Sequence, residues 1–453
     1  MEREHSKPVL LAILALILTL AITLCSPLQA ELTSSQGNSG VGPGNYGASI
    51  AYGSDVHRSG LPIGRKFWVG RSDRPLVPEI RALFSQLRPG DAIIVRDGTY
   101  HLKDDVLEWP SWASGTEASP IYLLAKHAGR ARITGSLEWR LQGKHLHVSG
   151  FRFVETTGPV VLEGNDSRFT RNTFERTEAG LGIYASRVEV DNNIWIGSRG
   201  QSLWHAQPQI NCGNKCRYFK YNRIHHNTWR NIDKSKSNGL EPIMLGYGYA
   251  PLPSGYDNGT HARIDHNVFS KVSGDGEVIS VKSDSNTIER NCVVNSGAAA
   301  MVIRMGSDNR ISNNEILGSS STAIRISGKS NVIEGNLFDT WNAYAAGVGL
   351  HSTEKKASNS KYYRYLAAEN NRITGNTFKG YKFSVRDLPA SGILIKPAAN
   401  NAIQYNRFTA TGSKEPEVRA DRNRNEAAFL RANSVKENHA SSSSAAATSH
   451  CPG

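Results

Sequence analysis

The sequence is poor in cysteine, in methionine and in long apolar runs. Its five cysteines among 453 residues are too few for a disulfide scaffold. No further paired ligands accompany Cys212 and Cys216, which argues against a zinc site and leaves a short loop disulfide across Gly-Asn-Lys as their expected use. Hydrophobic residues make up 39% and the mean hydropathy is −0.42, values that exclude a polytopic membrane protein and, for most of the chain, global disorder. Acid is the scarcer charge. Lys and Arg number 53 against 40 Asp and Glu, a net charge of +13 that points to a polyanionic partner, nucleic acid or acidic polysaccharide. No motif interleaves aromatic with basic residues as nucleic-acid binding requires, so the polysaccharide is favoured.

The one long apolar run, Val9 to Leu24, follows Arg3 and Lys7 and precedes Pro27 and the small residue Ala30. This order reads as a signal peptide over residues 1–30, so the protein is expected to be secreted or periplasmic, without stable membrane insertion after cleavage. Residues 31–75 read as a Gly-, Ser- and Asn-rich linker and N-terminal extension. Within 77–87 the apolar spacing suits a short capping helix. Residues 411–453 turn charged and then Ser/Ala-rich, which predicts a disordered tail.

Between these ends lies a repeat, apolar-x-x-Asn-x-apolar, with Asn at 172, 193, 227, 267, 291, 314, 336, 376 and 406. Steps of 21 to 24 residues recur, and the longer ones read as the same step carrying loops, notably 196–218, 247–260 and 339–370. Each unit holds short β-rich runs such as Glu277–Val281 and Ala323–Ile326, with no helical period between them. The expected fold is all-β: one right-handed parallel β-helix over 76–410. The Asn residues are expected at turns, in left-handed geometry, bonding along a ladder of identical neighbours. His225, His226 and His266 beside these asparagines read as structural.

Stacking makes the sequence readable in columns. Aligning the coils on Ile243, Ile279, Ile303 and Ile324 sets Glu241 over Glu277, with Asp275 and Asn238 close by. Lys282, Arg304 and Arg325 then face outward as one cationic row. Two stacked carboxylates are costly unless a cation lies between them or one is protonated, and oxygen-only ligands suit calcium. A metal-neutralised carboxylate beside Lys and Arg is what proton abstraction α to that carboxylate requires. A salt ladder between the acids and the bases is the structural alternative.

Around these residues the sequence resembles polysaccharide lyase family 6, the chondroitinase B-like and alginate lyases. Asn238-Gly-Leu-Glu241-Pro-Ile-Met-Leu-Gly246 is similar to that family's Asn-Gly-Gly-Glu-Thr-Ile-Arg-Ile-Gly. Gly274-Asp-Gly-Glu-Val-Ile-Ser-Val-Lys-Ser283 resembles its Gly-Glu-x-Glu-Ile-Ile-Ser-Asn-Lys-Ser. Val302-Ile-Arg-Met-Gly306 and Ala323-Ile-Arg-Ile-Ser327 resemble its two Arg segments, and Pro89 to Tyr100 its less specific opening. The resemblance implies β-elimination on a uronate polysaccharide, alginate or a glycosaminoglycan. Lys282 would be the base and Arg304 the group serving the leaving oxygen. Asn238, Asp275 and Glu277 would hold calcium with Glu241 adjoining, and Arg325 would bind a neighbouring sugar carboxylate. The sequence departs from the pattern at Met244 (Arg in the family), Asp275 (Glu), Val281 (Asn) and Met305 (His). Two other functions fit the same surface: a non-catalytic polysaccharide-binding β-helix, and a uronan C5-epimerase, which would need a second acid/base on the opposite sugar face.

Overall fold

The computed structural model describes residues 63–205, 219–233, 239–246, 259–304, 306–318, 322–339, 346–351, 353–355, 363–380, 383–388, 393–396, 398–409, 417–419, 426–441 and 451. The expected signal peptide, most of the linker, Cys212, Cys216, Asn238 and Met305 lie outside them.

The strands are too short to bury anything alone, many being three residues long, and they become stable by stacking. Successive coils pair in parallel register, as in Ile224↔Ile264 and Phe378↔Phe408. The result is the expected parallel β-helix. Its first face has fourteen strands, from Lys66–Val69 to Ser434–Lys436. A second face runs from Phe151–Val154 to His439–Ser441, and a third from Val160–Leu162 to Glu417–Arg419. The long strands Gly98–Trp109 and Ala131–Leu141 begin both of the latter. Alternate side chains point inward, so each column contributes one continuous seam to the core. On the second face the seam is aromatic. Phe153, Phe174, Trp195, Trp229 and Phe269 stack with ring centroids 4.6–5.3 Å apart.

The expected helix is present as Leu76–Arg81, followed by a 3₁₀ turn at Phe84–Gln86. It covers the end of the coil with Leu76, Val77 and Ile80, and Glu79 accepts a 2.6 Å bond from the Gly70 amide.

The asparagine ladder exists, with one correction of geometry. From Asn172 to Asn406 each side-chain amide donates to the next Oδ1, for example Asn193 to Asn227 at 3.0 Å and Asn227 to Asn267 at 3.1 Å. Each is fully or almost fully buried. The left-handed residue is the one before the asparagine in most coils, with φ of 55° at Arg171 and Asn192 and 54° at His226. The reason is division of labour. The preceding residue turns the corner, and the Asn side chain points inward to satisfy carbonyls that the corner strips of partners. A second ladder escaped the sequence reading: Asn286, Asn309, Asn331, Asn371, Asn401 and Asn433.

Three boundaries need correction. The β-helix begins before 76, at Lys66–Val69, and continues beyond 410. The tail contains the helix Glu426–Ala432 and the strands Ser434–Lys436 and His439–Ser441, because Asn433 and Asn438 extend both ladders by another coil. Within 339–370 the strand Ala346–His351 belongs to the third face. Thr353–Lys355, Tyr363–Tyr365 and Ile393–Lys396 form a separate antiparallel sheet. Cys451 is bonded to Cys292, 159 residues away, a pairing that no spacing reveals.

Candidate functional site

The site lies at the centre of the third face, where Ile243–Leu245, Glu277–Val281, Ala299–Arg304 and Ile324–Ser327 are neighbours. Their register corrects the sequence alignment. Ile279 stands opposite Met301, not Ile303, and Met301 opposite Ile324. A shift of two residues preserves the inward–outward alternation, so the hydrophobic pattern does not reveal it. The cationic row therefore divides. Val281 faces Ile303, which puts Lys282 next to Arg304 just beyond. Arg325 belongs two residues back, in the column of Met244, Ser280 and Val302.

Lys282 follows its strand directly, and its amide donates to Leu245 O at 2.7 Å. Its Nζ donates to Met244 Sδ at 3.2 Å. Burial holds the amine below the usual lysine value, and the Arg304 charge acts in the same direction. Glu241, Glu277 and Asp275 oppose them. Sequence reasoning found the charges and missed desolvation, the largest cause, because that depends on what packs around the side chain.

Glu277 is fully buried. Its Oε1 accepts from Arg304 Nε at 2.5 Å, with Arg304 Nη2 also paired to it, and lies 3.8 Å from Arg325 Nη2. Arg325 Nη2 also donates to Gly276 O at 2.9 Å. Extending the register two residues back from Ile243↔Ile279 puts Glu241 beside Glu277. Burial raises the Glu241 carboxyl above the usual carboxylate range, and the Asp275 and Glu277 charges add to it. One oxygen of each acid, Glu241 Oε2 and Glu277 Oε2, is buried with no hydrogen-bond partner. Such atoms call for a proton or a cation.

Asp275 already accepts hydrogen bonds from the chain around it. Oδ2 accepts from the Gly239 and Leu240 amides at 2.8 and 3.4 Å, and Oδ1 from Gly276 at 2.5 Å. It clamps the turn at Gly239, where φ is 99°. The site thus brings together Lys282, Arg304, Arg325, Glu241 and Glu277, with Asp275 at its edge; Asn238 precedes the clamped turn. As a donor set for a cation, the two orphaned oxygens fit an oxygen-preferring ion such as calcium better than Asp275 does. Chemically, the arrangement offers an amine biased toward its neutral form, a guanidinium fixed by a buried carboxylate, and an acid pair that a cation or proton would relieve.

A family model described as Chondroitinase B matches residues 77–387. No curated protein matches the chain significantly. Among solved structures, a PL6 family polysaccharide lyase from Pseudopedobacter saltans is 19% identical, with 84% of this chain and 94% of that one covered and a TM-score of 0.62. A mannuronic acid specific polysaccharide family 6 lyase from human gut microbiota is 21% identical, with coverage of 85% and 89% and a TM-score of 0.68. The PL6 family alginate lyase AlyGC is 21% identical over 83% of this chain, at a TM-score of 0.64, and this chain covers only 51% of it. At these identities the structures establish a shared fold.

Proposed function

Because the chain belongs to the chondroitinase B family of polysaccharide lyases, we propose that it cleaves a uronate polysaccharide, alginate or a glycosaminoglycan, by β-elimination with Lys282 as base. The observation that carries this reading is the partial burial of Lys282 beside Arg304, which biases the amine toward its neutral form against the opposing pull of Glu241 and Glu277. Lys282 removes the C5 proton, the C–H electrons form the C4–C5 double bond, and the C4–O4 bond breaks. Arg304, held by Glu277, donates a hydrogen bond to the departing O4 oxygen, which takes its proton from water. Arg325 receives a carboxylate of a neighbouring sugar.

A calcium ion held by Glu241 and Glu277, with Asp275 and Asn238 as the family pattern implies, would acidify C5 by neutralising the substrate carboxylate. It would also cancel the acid charges that favour the ammonium form of Lys282. The Cys292–Cys451 bond supports an oxidising destination, secreted or periplasmic, in line with the N-terminal sequence.

The test is to incubate the protein with alginate, dermatan sulfate, pectate and hyaluronan, with and without calcium, and read the ultraviolet absorbance of unsaturated uronate ends. Release from at least one polymer is expected. Binding without release from any would replace the mechanism by the non-catalytic reading.

A further inference from the structure

The outward column through the site has a composition of its own. Reading the register from coil to coil, it runs Arg140, Val161, Gly182, Trp204, Met244, Ser280, Val302, Arg325. Between its two arginines it holds no cation. The half-buried Trp204 is adjacent to Met244 and two strand steps, roughly 10 Å, from Ser280.

Its indole is held in place by three features. A Cβ at Gly182 would lie 2.7 Å from the Trp204 ring, so only glycine lets the ring lie down on the preceding coil. Trp204 Nε1 donates to Tyr184 Oη at 3.3 Å. Tyr184 in turn meets Phe219, with centroids 6.2 Å apart. Met244, itself buried, backs the indole and bridges it to Lys282, where its sulfur touches Nζ. An immobilised, partly exposed indole leading into a lysine is a binding surface that needs no further ordering when occupied.

We propose that Trp204, backed by the buried Met244, is a sugar-stacking platform that makes the subsite on the N-terminal side of Lys282 hold a pyranose by its apolar C–H face rather than by its carboxylate. This rests on the lyase reading for the direction of the polymer, which would lie along the column from Trp204 past Lys282 to Arg325. The two halves of the column then select differently. The Arg325 half requires a uronate, whereas the Trp204 half accepts a sugar without charge.

The experiment is steady-state kinetics of Trp204→Ala and Trp204→Phe on the uronan that the wild type cleaves, at low and high salt. Trp204→Ala should raise KM about tenfold with kcat little changed, and Trp204→Phe should recover most of it. The effect should persist in high salt, whereas the KM increase of Arg325→Ala should shrink as its charge is screened. An unchanged KM, or one whose increase fades with salt, would overturn the platform.

Binding is read separately by affinity electrophoresis in polymer-containing gels, with Lys282→Ala as the background and Trp204→Leu to retain apolar volume. Loss of retardation on adding Trp204→Leu supports the platform, and equal retardation refutes it. If the wild type binds polymer without forming unsaturated ends, the elimination mechanism falls while the gel still decides the role of Trp204.

Discussion

Two regions of the same β-helix carry stacked acids and bases, and they treat them in opposite ways. On the first face Asp191 is fully buried, and both its oxygens accept from Arg168 at 2.8 Å. Asp265 is likewise buried, bonded to Arg223 at 2.9 and 2.8 Å and to His266 at 2.8 Å. Both carboxyls lie well below the ordinary aspartate value, because these bonds outweigh desolvation. His225 bonds Glu189 at 2.8 Å, and the His226 and His266 rings stack 5.0 Å apart, in keeping with the structural reading of all three. On the third face Glu241 is pushed up instead, and it and Glu277 each keep a buried oxygen without a partner. The difference is saturation. A ladder whose charges are all answered reads as scaffold, whereas acids left short beside a lysine lowered by burial make the third face the candidate site.

Four experiments test this contrast. The largest effect is expected at Lys282. Lys282→Ala should lower the elimination rate by about 10²–10⁴, while retardation in polymer gels persists through Arg304 and Arg325. Lys282→Arg should fail too, since guanidinium does not give up its proton. Near-normal elimination by Lys282→Ala would assign the third face to scaffold as well.

Glu277→Gln comes next. It removes the anchor of Arg304 and half of the acid pair, so activity should fall and respond no further to chelator. In the wild type, chelator should lower activity and added calcium should restore it. If turnover in excess chelator equals that in calcium, the cation has no place at the acid pair, and Arg304 and Arg325 answer Glu277.

Asp265→Asn should act on stability alone. Loss of its charge-assisted bonds is expected to cost about 2 kcal/mol, seen as a lower denaturation midpoint with unchanged kcat. The pH dependence follows from the sign of the shift. Because the folded-state value is depressed, the stabilisation is present above the unfolded aspartate value and lost as pH falls toward the folded one. Asp265→Asn should flatten that acid limb, and a loss of kcat at equal stability would show that the first face takes part in the chemistry.

Glu241→Gln is the finest probe. The Glu241 charge is the foremost influence opposing the depression of Lys282, so its removal should let the lysine value fall further. The acid limb of the kcat profile should then move to lower pH. A limb that stays in place would uncouple Glu241 from the base.

The two regions were also unequally legible. The first Asn ladder and the parallel coil were readable because a buried repeat recurs at the same point of every turn, and the capping helix because of its apolar spacing. The family's Glu, Lys and Arg stand at Glu277, Lys282 and Arg304 despite the departures beside them at Asp275, Val281 and Met305. The second ladder was legible too, since an Ile or Val stands two residues after each of its asparagines from Asn286 to Asn433, but these lie only five residues before those of the first ladder and merge with them into the same unit. The true column of Arg325 was missed because a two-residue slip keeps inward residues inward. The tail read as disordered from composition, although Asn433 and Asn438 lie in it and extend both ladders.

The sequence by itself determined the architecture, since that depends on residue type at a fixed interval, and the family resemblance named the candidate site residues. Only the tertiary structure decided which carboxylates are answered and which are not, how deeply Lys282 is buried, that Met244 touches it, and that Cys451 reaches Cys292. Each of these depends on the distance between coils far apart in sequence, and on the water excluded between them, which a linear pattern of residues does not encode.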